Sequence, residues 1–116
     1  MKSGKKTQTA YLIAFTNPLP GKEDEYNQWY DKVHLKEVVA IDGFISGRRF
    51  KLAPHQMGGA EHQYRYMVMY EVESGKSKTI IEKLVATMPG MRIDPVVDLA
   101  ESPNFLVESI GDRYLK

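Results

Sequence analysis

Apolar and polar positions divide the chain into six regular segments. TAYLIAFT (9–16) is a short aliphatic and aromatic run closed by NPLPG, the pattern of a strand that ends in a turn. From Lys22 to about Ile41 the apolar spacing becomes helical. Pro18 and Pro20 precede this stretch, Glu23, Asp24 and Glu25 occupy first turns where the helix dipole favours acids, and Gly43 closes it. GFISGRRFKLA (43–53) reads as a second strand, followed by a loop over PHQMGGAEH (54–62). QYRYMVMYEVE (63–73) alternates, with Tyr64, Tyr66, Val68, Tyr70 and Val72 on one face. After Ser74-Gly75 a second helix runs to about Met88 and offers Ile80, Ile81, Leu84, Val85 and Met88 for burial. Residues 89–104 show no period, and 104–114 form the last strand.

The order β-α-β-β-α-β predicts an α+β, ferredoxin-like fold, with two helices on one face of a four-stranded antiparallel sheet. The other face must then be accounted for, because neither Tyr64/Tyr66/Val68/Tyr70/Val72 nor Arg65/Met67/Met69/Glu71 is hydrophilic throughout. Strands about 4.8 Å apart and roughly 20 Å long give a sheet face of about 400 Å². That is near the largest apolar patch a monomer ordinarily exposes. A homodimer that covers it is the expected solution.

Composition narrows the setting. The chain has 116 residues, enough for one core, and a formal charge of +1, which gives no reason to expect nucleic acid or an anionic membrane as partner. Residues 1–8 read as a solvated, disordered leader and 9–116 as a single domain. The basic start is followed by no signal-peptide core, and AYLIAFT is too short to span a bilayer. With no cysteine, thiolate chemistry is excluded and a cytoplasmic location is expected. There is no Gly-rich phosphate loop and no G-x-S-x-G, so phosphoryl transfer and acyl-serine chemistry are poor fits.

Candidate chemistry concentrates in NQWYDKVHLKEV, residues 27–38. Placed on a straight helix, Tyr26, Trp29, Tyr30, Val33, Glu37 and Ala40 share a stripe, with His34 and Ile41 at its edge. The rings suit a core. A carboxylate within such a stripe is costly to desolvate unless partnered, and His34 is three residues away. In one reading the pair is structural, each satisfying the other. In a second, His34 faces a cavity as general acid or base and Glu37 orients its ring and favours its charged form. A metal role fits least, since His34, His55 and His62 lack close zinc spacing. Tyr66 and Tyr70 share a strand face and either offer phenols to a carbonyl or phenol ligand or fill the interior. Arg48 and Arg49 must point to opposite faces. Arg48 is the candidate to bind a carboxylate or enolate, against a salt bridge across the dimer.

The run NPLPGKEDEYNQWYDKVHLKEVVAIDGFISGRRFKL resembles the opening half of dimeric α+β barrel proteins, in particular the EthD-like group. The shared features are an N-P-x-P-G turn, an acidic helix start, a W-Y-D…H-L-x-E segment and a G-F leading into an R-R-F strand. Lys36 and Asp42 stand where that group often has proline, which implies a straight, continuous helix from about Lys22 to about Ala40. The resemblance implies a barrel formed across a dimer and a small-molecule cavity between the helices and sheet of each subunit. It leaves three readings. The first is a binding site for an aromatic, polyketide-like or otherwise apolar molecule, used by a cofactor-independent isomerase, cyclase or lyase. There His34 and Glu37 would be catalytic, Trp29 and Tyr30 the wall, and Arg48, Tyr66 and Tyr70 further ligand contacts. The second is a non-catalytic accessory protein of a catabolic pathway, and the third a haem-using relative.

Overall fold

The structure is a computed structural model that describes residues 8–59 and 63–116. The expected leader, apart from Gln8, and His62 lie outside the described residues. Four strands form one antiparallel sheet in the order β2-β3-β1-β4: β1 Ala10–Thr16, β2 Phe44–Lys51, β3 Tyr66–Val72 and β4 Asn104–Glu108. Helix α1 (23–39) joins β1 to β2, and helix α2 (Ser77–Thr87) joins β3 to β4. This is the ferredoxin-like order the sequence predicts.

Helix α1 is continuous but not uniform. α-Helical turns over Glu23–Trp29 and Leu35–Val39 flank a π-helical turn over Tyr30–His34. The Leu35 N–H reaches back to the Tyr30 carbonyl, five residues away. A wider turn of this kind shifts the angular phase of every later residue and is often found at functional sites. The straight α-helix expected from Lys36 is therefore corrected: the chain continues without a break, but its register changes at the histidine.

Alternation on β3 is as expected, with Tyr66, Val68, Tyr70 and Val72 buried against the helices. Tyr64 precedes the strand, and its ring meets that of Phe15 instead. On α2 only Ile80 is buried; Ile81, Val85 and Met88, expected inside, are exposed in the single chain. Ile80 sits so close to Gly43 that a Cβ there would meet its Cδ1 at 2.4 Å, and the backbone at Gly43 has φ +96. Glycine is thus required twice over where α1 turns into β2. The last strand ends at Glu108, not at residue 114, because its ladder partner β1 begins at Ala10 and only Thr9 continues the pairing, through Ser109.

Residues 89–103, within the stretch read as irregular, form a segment that runs beside the turn after β1 at 95–98. Leu19 N–H donates to the Val96 carbonyl at 2.8 Å and Asp98 N–H to the Asn17 carbonyl at 2.9 Å. These bonds, with a bridge between Pro18 and Val97, hold a segment whose regular structure is limited to short 3-10 turns against the turn after β1.

Candidate functional site

Between α1, α2, the sheet and that segment lies a cavity of about 300 Å³. Its apolar wall comes from Leu12 of β1, Val38 of α1, Leu84 and Met88 at α2, and Met91 and Leu99 of the segment. Its polar groups are Thr16, Tyr30, His34, Tyr70, Ser102 and Asn104. The volume is at the lower end of small-molecule sites.

His34 reaches the cavity from the π-turn. Its ring stacks on Trp29, centroids 4.7 Å apart and planes 18° apart, and stands edge-on to Tyr30 at 5.1 Å. Its Nδ1 is buried with no hydrogen-bond partner in the protein. Burial pushes its pKa below the ordinary value, and the Glu37 charge opposes this less strongly. The expected preference for the charged form is thus reversed. A neutral imidazole can accept a proton at neutral pH.

Glu37 is half-buried, as its stripe position implied, but it does not line the cavity. Its Oε2 accepts the Arg92 N–H at 3.1 Å, and its Oε1 is buried without a partner. The expected hydrogen bond to His34 is not formed. Trp29 donates Nε1–H to the Arg92 carbonyl at 2.9 Å. Trp29 and Glu37 therefore grip both sides of Arg92 and tie the segment to α1.

Trp29 backs His34 rather than walling the cavity, whereas Tyr30 and Tyr70 do line it. Gly47 on β2 lets the Tyr70 ring lie against the strand: a Cβ there would meet Tyr70 Cδ1 at 2.9 Å and Cε1 at 3.0 Å. The Tyr70 hydroxyl lies beside that of Tyr30, yet it has no partner of good geometry in the protein. Burial raises the pKa of both phenols above the ordinary range, so both remain hydrogen-bond donors.

Two expected contacts fall elsewhere. Arg48 lies on the outer face of the sheet, over the Phe50 ring at 5.7 Å. The inward arginine is Arg49. A bulge between Phe44 and Ser46 inserts one residue into β2 and reverses the parity of the rest of the strand. The Arg49 guanidinium carbon lies 5.2, 4.8 and 5.4 Å from the ring centroids of Tyr26, Tyr30 and Tyr66. Arg49 donates to Asp31 Oδ1 at 2.8 Å and to Asn27 Oδ1 at 2.7 Å. Tyr66 belongs to this cage, donating its hydroxyl to the Glu23 carboxylate, and is absent from the cavity wall.

Sequence reasoning missed Thr16, Met91, Leu99, Ser102 and Asn104 as cavity residues. Met91, Leu99 and Ser102 come from the stretch without a period, and nothing in their spacing signals a shared wall. Among the described residues no group of three or more His, Cys, Asp or Glu could hold a metal ion. No helix among them is long and apolar enough to cross a membrane.

The fold is ferredoxin-like α+β, similar to that of a solved EthD-family protein. An ethyl tert-butyl ether d (EthD) family protein from Bacillus halodurans superposes with a TM-score of 0.51 at 12% identity, covering 88% of this chain and 99% of its own. A protein of unknown function from Nitrosomonas europaea gives 0.52 at 14% identity, covering 97% and 99%. No protein-family model matches the chain, and no curated protein matches it significantly. These likenesses show the fold.

Proposed function

We propose that the protein is a cytoplasmic homodimer that holds a small, largely apolar molecule in the cavity beneath α1, where His34 accepts and returns a proton. The observation that carries this is the cavity itself, about 300 Å³, with a buried imidazole nitrogen and a buried phenol hydroxyl on its wall that make no hydrogen bond of good geometry in the protein. Buried polar groups are ordinarily paired, so each exception calls for an explanation, and a bound ligand would supply one here. The corresponding chemistry is cofactor-independent isomerisation, cyclisation or elimination. His34 is the acid/base, Tyr30 and Tyr70 contact the ligand, and Glu37 acts on His34 only through its charge.

The homodimer is supported by the outer sheet face. Phe50, Phe105 and Val107 are exposed there and Ile13, Phe15, Met67 and Met69 half-exposed, a contiguous apolar surface on the side away from the helices.

A non-catalytic binding protein is the second reading. It is favoured by the engagement of Glu37 with the Arg92 backbone, which leaves His34 without an orienting hydrogen bond. Native mass spectrometry of the purified protein identifies a co-purified ligand, and turnover of that compound by the parent and by His34→Gln separates the two. A ligand bound normally by His34→Gln and turned over by neither protein would leave only the binding role.

A further inference from the structure

We infer that the cavity selects an uncharged ligand bearing a carbonyl oxygen, and that Tyr70 is the residue that holds this oxygen. The inference rests on the cavity being the binding site, as proposed above, and adds the chemical class of its occupant.

The lining is the first reason. Among the described residues, no Lys, Arg, Asp or Glu contributes to the cavity wall. The nearest cation to the phenols, Arg49, is occupied by Asp31 and Asn27 and enclosed by three rings. A carboxylate or phosphate in this space would meet no permanent counter-charge, only an imidazole that burial disfavours in its charged form, which is unfavourable. A neutral molecule meets no such penalty.

Tyr70 is the second. Of the other hydroxyls on the wall, that of Thr16 is bonded to Tyr26, that of Ser102 donates to the Asp98 carbonyl at 2.6 Å, and that of Tyr30 lies against Tyr70 and Thr16. The Tyr70 side chain belongs to a residue only 3% exposed, and its hydroxyl, though beside that of Tyr30, makes no hydrogen bond of good geometry in the protein. A buried phenol always has one O–H to give. A carbonyl is a pure acceptor of matching polarity and can be carried on an otherwise apolar body. The rest of the wall, Leu12, Val38, Leu84, Met88, Met91 and Leu99, suits that body. The ring cannot turn away freely, because the Gly47 backbone of β2 and the edge of Phe44, 5.8 Å from it, confine it.

Acetophenone, ethylbenzene and benzoate share a phenyl ring and differ in what they offer Tyr70: a neutral acceptor, none, or a charged one. NMR titration of the Met88 and Met91 methyl signals reads their binding to the parent and to Tyr70→Phe. The parent is expected to bind acetophenone at least tenfold tighter than benzoate. Tyr70→Phe is expected to weaken acetophenone about tenfold while leaving ethylbenzene within about twofold. The infrared carbonyl stretch of acetophenone should move to lower frequency on binding to the parent, and this needs no variant. Benzoate binding as tightly as acetophenone, an unshifted carbonyl stretch, or equal weakening of acetophenone and ethylbenzene in Tyr70→Phe would overturn the inference while leaving the cavity as a site. Cavity signals that respond to none of the three probes would overturn both the inference and the binding reading beneath it.

Discussion

His34 lies flat on Trp29, ring planes 18° apart, at the one place where helix α1 widens into a π-turn. The contact shields one face of the imidazole, and burial holds the ring neutral. Its folded pKa lies below the unfolded value, so protonation favours the unfolded chain. The stability this residue contributes is complete above pH about 6.5 and is lost as pH falls through the folded value. Urea melts of the parent and His34→Gln should therefore diverge with pH, the parent losing more stability on acidification from pH 7 to 5. Parallel pH profiles would show that His34 does not titrate as a buried group.

The same residue separates folding from function. His34→Gln is expected to shift stability at pH 8 by about 1 kcal/mol or less, because its Nδ1 makes no hydrogen bond in the protein to lose. If His34 moves a proton, turnover of the identified ligand should fall about 10²–10⁴-fold. Glu37→Gln should leave turnover much closer to the parent and instead loosen the Arg92 segment, seen as faster amide exchange at Arg92.

Adjacent arginines provide a paired test of the β2 bulge. Arg49 is enclosed by three tyrosines with its side chain 13% exposed, whereas Arg48 faces outward. Arg49→Met should cost about 1–3 kcal/mol through lost cation–π contact and unpaired Asn27 and Asp31 groups. Arg48→Met should stay within about 0.5 kcal/mol in the monomer. Denaturation midpoints at matched m-values decide this, and a reversed order would place the bulge elsewhere.

Gly47 governs the Tyr70 ring. An added Cβ would lie 3.1 Å from Val39 Cγ2 as well as against the ring, so both neighbours would have to give. Gly47→Ala is expected to destabilise by about 1–3 kcal/mol, the range for overpacking, and to shift the Tyr70 ring signals in NMR spectra.

The outer sheet face predicts assembly. Sedimentation equilibrium at micromolar concentration should give a mass near twice 13.2 kDa. Phe105→Asp, placed where Phe105 pairs with Ile13 on that face, should shift the protein toward monomer with its helix–sheet core intact by circular dichroism. A parent that sediments as a monomer would remove the dimer.

Six elements, their order and the buried face of β3 were legible in the sequence, because these depend on local period, turn residues and helix-end signals. The sequence also placed His34, Tyr30 and Tyr70 among the candidates, since each combines chemistry with an inward-facing position. Tertiary structure decided the rest. The π-turn at Tyr30–His34 and the bulge at Phe44–Ser46 each insert one residue's worth of phase, and no proline or glycine pattern marks either reliably. Strict alternation from Phe44 sends Arg48 inward, and one extra residue sends Arg49 there instead. The partner of Glu37 is the backbone of Arg92, 55 residues away, and Met91, Leu99 and Ser102 reach the cavity only because the segment that carries them is bonded to the turn after β1. Periodicity describes neighbours along one element, whereas a cavity is made by distant segments meeting, and that meeting is fixed by packing.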